Sequence, residues 1–144
     1  MTSIDVQSVT FVRASKEAVW DALTNPETIQ AFHPAGMQIA SLPEGGHAIK
    51  NPESGEIVIR EPLVPMENGD RLELGFEPSW APDASDNSRV VFELSSEDEA
   101  CKVTLTQTNC AAFGIGDNWD RFLSSMKSHL ETGRGLHIPP SGRN

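Results

Sequence analysis

The spacing of hydrophobic positions changes period several times along this chain, and the changes mark out its elements. Residues 4–13, IDVQSVTFVR, carry Val6, Val9, Phe11 and Val12 in imperfect alternation, which suits a strand. The period then turns helical. Ala18, Val19, Ala22 and Leu23 fall on one stripe behind Ser15, a good N-cap, and predict a short helix from about Lys16 to Thr24. Asn25-Pro26-Glu27 then supplies a cap, a first-turn proline and a first-turn acid for a second short helix carrying Ile29 and Phe32. His33-Pro34-Ala35-Gly36 stops it, and Trp20 is read as core beneath the first helix.

From Met37 to Asn109 the pattern is a run of six strands, MQIASL, GHAIKN, GEIVIREPLV, DRLELGFEP, SRVVFELS and CKVTLTQTN. Turn residues such as Pro43-Glu44-Gly45-Gly46 and Asn51-Pro52-Glu53-Ser54-Gly55 separate them, so the strands form consecutive hairpins. Alternation places Leu72, Leu74, Phe76, Val90, Phe92, Leu94, Val103 and Leu105 on the buried face. Arg71, Glu73, Glu77, Glu93, Lys102 and Thr104 take the wet one. The break SWAPDASDN, residues 79–87, is expected to be a mobile loop.

The last periodic stretch is the longest. Trp119, Phe122, Leu123, Met126 and Leu130 form a helical stripe, with Asp117 as the expected cap and Gly133 as the stop. The order of elements is α+β and cannot be a βαβ repeat, because the strands come consecutively. The long helix is expected to lie across the concave face of a curved antiparallel sheet. Residues 1–133 make a single domain, and residues 134–144, with two prolines and two further glycines, read as a loosely held tail.

Charge narrows the function by exclusion. With 11 basic and 21 acidic residues the formal net charge is -10, which repels nucleic acid and anionic membrane surfaces, and the basic residues are scattered. No segment approaches the length of a membrane span, and a cytoplasmic location is expected. Cys101 and Cys110 fall along one predicted strand, too far apart to pair, and read as reduced structural thiols.

Four stretches carry a family resemblance: ASKEAVWDALTNPETIQAF, GEIVIREPLVPMENGDRLELGFEP, SRVVFELSSEDEACKVTLTQT and NWDRFLSSMKSHLETG. Together and in this order they resemble the START-like helix-grip (SRPBCC, birch-pollen-allergen-like) superfamily. Within it, they resemble the branch homologous to the activator of the heat-shock protein 90 ATPase. The sequence departs from that branch at Phe32-His33, where tryptophan is common, and at Gln107, where histidine is common.

The resemblance implies a cavity between the sheet and the long helix that holds a lipid, polyketide, aromatic metabolite or other apolar small molecule. Its expected lining is Phe32, His33, Leu74, Phe76, Phe92, Leu94, Leu105, Gln107, Asn109, Trp119, Phe122, Leu123 and Met126. Periodicity alone does not separate a cavity wall from packed core, and a helix seated on the sheet with no cavity above roughly 300 Å³ counts heavily against this reading. An inward Arg60 or Arg71 would add an anion-binding end. No catalytic motif, metal-ligand spacing or cofactor fingerprint is present, so no catalytic residue, metal or cofactor is expected.

Three functions follow. The first is non-catalytic binding of an apolar or amphipathic small molecule. The second is a cyclase or hydrolase using Asn109, Gln107 or His33 to polarise a carbonyl, which requires those groups to converge at one buried point. The third is a protein-interaction module, with a homodimer through a sheet edge also open.

Overall fold

The computed structural model describes residues 4–64, 70–80, 88–109 and 117–139. The loop expected at 79–87 falls outside them from residue 81 onward, and so does Cys110. The order of elements is β1 (Ile4–Val12), α1 (Lys16–Thr24), α2 (Pro26–Phe32), β2 (Gln38–Ser41), β3 (Gly46–Lys50), β4 (Ile57–Val64), β5 (Arg71–Gly75), β6 (Glu77–Pro78), β7 (Arg89–Glu97), β8 (Ala100–Thr108) and α3 (Asn118–Thr132). All strands pair antiparallel in one sheet of order β1-β8-β7-β5-β4-β3-β2, with β6 set beside β4. The α+β helix-grip architecture expected from the sequence is the one observed.

The short helices form where their caps dictate. Ser15 accepts from the Ala18 N–H at 3.1 Å, and Asn25 accepts from the Glu27 N–H at 3.0 Å. Gly133 closes α3 in the left-handed region, φ 86°. Asp117 does not cap α3 with its side chain; it pairs with Arg121 one turn on, at 2.9 Å.

Leu72, Leu74, Phe76, Val90, Phe92, Leu94, Val103 and Leu105 are all buried, as their alternation predicts, and they meet Trp119, Leu123 and Met126 of α3. Trp20 packs against this core without being fully buried. Cys101 is a buried free thiol.

One predicted strand is two. DRLELGFEP divides at Phe76, because β4 turns a corner there: its Leu63 and Val64 pair with β5, while Ile59 and Arg60 pair with β6. A bulge on the β3 side, where Ile49 opposes Ile59 and Lys50 opposes Ile57, inserts Val58 and shifts the phase of β4. The corner is closed tightly. A Cβ on Gly46, φ 86°, would lie 2.2 Å from the Glu61 carbonyl oxygen, so only glycine fits where β3 starts.

Residues 134–139 run back over α2 and α3. The Ile138 N–H donates to the Pro34 carbonyl at 3.0 Å, the Leu136 N–H to Ser125 Oγ at 2.7 Å, and Ser125 Oγ donates to the Phe32 carbonyl. This stretch of the expected tail is therefore tied down, and residues 140–144 lie outside the described residues. No helix among the described residues is long and apolar enough to cross a membrane.

Candidate functional site

The corner in β4 opens a space that α3 does not fill. A cavity of about 190 Å³ lies between the end of α2, the start of α3 and the inner side of β3 and β4. Its wall is mainly apolar, with Ile29, Met37, Ile49, Ile59, Phe76 and Phe122 as its larger members, and Trp80 contributes from the rim. The aromatic side is firmly held: Phe122 meets Phe32 edge-on at 5.2 Å between centroids and Trp119 at 5.3 Å. Trp80 is half-exposed.

Four titratable side chains line this apolar space: His33, His47, Glu61 and Arg121, the last of which pairs with Asp117. His47 and Glu61 are direct cross-strand partners, and His47 Nε2 lies 2.7 Å from Glu61 Oε1. Both are buried, at 5% and 2% exposure. Glu61 Oε2 has no hydrogen-bond partner among the described residues.

His33 ends α2, and its Nδ1 accepts from the Ala35 N–H at 3.1 Å, which places the ring proton on Nε2. Burial pushes His33 down to about 4; in smaller measure Glu61 opposes this shift and His47 adds to it. A cationic histidine serving the helix carbonyls, the role its position at a helix end suggests, is therefore replaced by a neutral, desolvated one.

Of the residues expected to line a cavity, His33, Phe76, Trp119 and Phe122 do. Phe32, Leu74, Phe92, Leu94, Leu105, Leu123 and Met126 belong to the closed core instead, where rings of α3 meet Phe32 and Phe92. Gln107 is fully buried but occupied: it accepts from Trp119 Nε1 at 2.6 Å and donates to Ser88 Oγ at 3.0 Å. Asn109 is exposed beyond the end of β8. Gln107, Asn109 and His33 thus do not converge, so the carbonyl-polarising site built on those three is not assembled.

Arg60 pairs outside with Glu77 and Glu44, and Arg71 pairs with Glu73, so neither makes an anion-binding end. Among the described residues no group of His, Cys, Asp or Glu is arranged to hold a metal ion. The volume falls short of the roughly 300 Å³ set above, which counts heavily against the small-molecule reading as expected from the sequence and leaves room only for a ligand smaller than a lipid or polyketide.

An antiparallel sheet gripping one long helix, with a small apolar cavity at one end, defines a helix-grip protein. The family model described as Activator of Hsp90 ATPase homolog 1-like protein matches residues 13–131, and the chain belongs to that family. The resemblance seen in the sequence is borne out.

The fold is shared with the Aha1 dimer from Colwellia psychrerythraea, with TM-score 0.71 and 21% identity over 90% of this chain and 98% of that one. ChR145 from Cytophaga hutchinsonii is similar, with TM-score 0.68 and 26% identity over 91% and 97%. So is DynU16, a protein of the dynemicin biosynthetic locus, with TM-score 0.69 and 18% identity over 90% of this chain and 48% of that one. No curated protein matches the chain.

Proposed function

We propose that this protein binds a compact, largely apolar small molecule in the cavity between α2, α3 and the β3–β4 corner, without transforming it. The observation that carries this reading is the apolar cavity itself, walled by rigid aromatic side chains. Its 190 Å³ exceeds the ~150 Å³ that suffices for benzene in an apolar cavity and lies below the range for drug-sized ligands. A single ring or short branched chain fits such a volume. Long-chain lipids and sterols are too large to be enclosed, which favours the aromatic-metabolite end of the ligand range that the family resemblance implies.

Native mass spectrometry of freshly purified protein tests the reading. The expected result is a retained mass of a small single-ring compound, or its uptake from a panel of such compounds, with fatty acids ignored. Protein that is empty and ignores the panel would overturn it. The same spectrum addresses a homodimer, which is favoured by exposed Val9 and Phe11 on the edge strand β1 and by the dimeric state of the Colwellia relative. A monomer mass would remove that second reading.

A further inference from the structure

Glu61 is the one buried carboxylate among the described residues. A carboxylate accepts through two oxygens, and only one of these is engaged, by His47 Nε2 at 2.7 Å. Oε2 is shielded from solvent, without a hydrogen-bond partner among the described residues, on a residue that lines the cavity. Other buried polar side chains are satisfied: Gln107 by Trp119 and Ser88, and Ser125 by Phe32 and Leu136. A bare acceptor in an apolar wall is costly in the free protein and is repaired by any ligand that brings a donor to it.

We propose that the cavity's ligand is an aromatic hydrogen-bond donor, a ring bearing an O–H or N–H that meets Glu61 Oε2 while the ring packs against Phe76, Trp119 and Phe122. This rests on the cavity being a ligand site. It also says which ligands are refused. A ligand carboxylate would oppose Glu61, and Arg121, the only arginine or lysine on the wall among the described residues, is already turned to Asp117 and to the Ile138 and Pro139 carbonyls. His33, held neutral by burial, offers an anion no compensating charge.

Ring-sized probes decide it. Toluene, phenol, benzylamine and benzoate are titrated into the full chain and followed by tryptophan fluorescence and two-dimensional amide NMR. Phenol or benzylamine is expected to bind at least about tenfold tighter than toluene, with benzoate weakest. A lead for phenol identifies a neutral O–H donor, and a lead for benzylamine a cationic N–H donor.

In the double variant His47→Leu/Glu61→Leu, which leaves neither partner orphaned, the preference for phenol or benzylamine over toluene should vanish. Toluene binding as tightly as phenol to the wild type overturns the donor inference but leaves the cavity reading standing. Benzoate matching phenol, or a preference that survives in the double variant, overturns it as well. Failure of every probe overturns both readings.

Discussion

The two ends of the interface between α3 and the sheet bury polar groups in opposite ways. At the closed end Trp119 Nε1 donates to Gln107, Gln107 donates to Ser88, and Ser88 Oγ donates to the Thr108 carbonyl at 3.0 Å. At the open end the His47–Glu61 pair stops at an oxygen with no partner among the described residues. Trp119 takes part in both, with its N–H in the first network and its side chain on the cavity wall. Depth of burial is similar at the two ends; what differs is whether the chain of donors and acceptors is complete. A completed network fixes one packing arrangement, while an incomplete one leaves the acceptor on which the proposed ligand contact rests.

The comparison breaks most visibly with pH. His33 has a folded pKa of about 4 against an ordinary 6.5, so between those values the unfolded chain takes up a proton that the folded chain declines. Stability therefore falls as pH drops through that window, by at most roughly 3 kcal/mol, and this contribution levels off below it. Above pH 6.5 the group costs nothing. Urea unfolding of the wild type and His33→Gln across the window should show the slope lessened by about one proton in the variant. Coincident slopes would mean that the open end is wetter than its burial indicates.

A smaller effect sharpens the closed end. Gln107→Leu strands the Trp119 N–H and removes a partner of Ser88, and should cost about 2 kcal/mol in chemical denaturation. A loss under about 0.5 kcal/mol would show that this network does not fix the packing. The smallest effect belongs to His47→Leu/Glu61→Leu. Both partners leave together, so stability should stay within about 1 kcal/mol of the wild type or rise. A loss as large as that of Gln107→Leu would make the pair structural and erase the distinction between the two ends.

The sequence made the closed end legible and left the open end obscure. Leu72, Leu74, Phe92, Leu94 and Leu105 lie on regular strands, where a period of two reports the inward face directly. Trp119, Leu123 and Met126 were equally plain from a period of 3.6. His47 and Glu61 gave no such signal, because a polar residue on a strand reads as solvent-facing, and their meeting depends on a cross-strand register that composition does not encode.

The bulge at Val58 hid the corner further, since it leaves Ile57 exposed while Val58, Ile59 and Glu61 all border the cavity. Of the two neighbouring aromatic rings at the end of α2, Phe32 and His33, only His33 lines the cavity. Phe32, its neighbour, is core, with its carbonyl bound by Ser125.

The pairing of β1 with β8 also shapes how this chain comes to be folded. Gln7 and Thr106, neighbours across that ladder, are 99 residues apart in sequence. During synthesis the first strand therefore has no sheet partner until almost the whole β meander has emerged, and α3, which packs against β1, follows later still. Contacts of such long range set a slow folding step, during which β8 lacks its β1 partner. The cavity, with α3 as one of its walls, is among the last features of the molecule to exist.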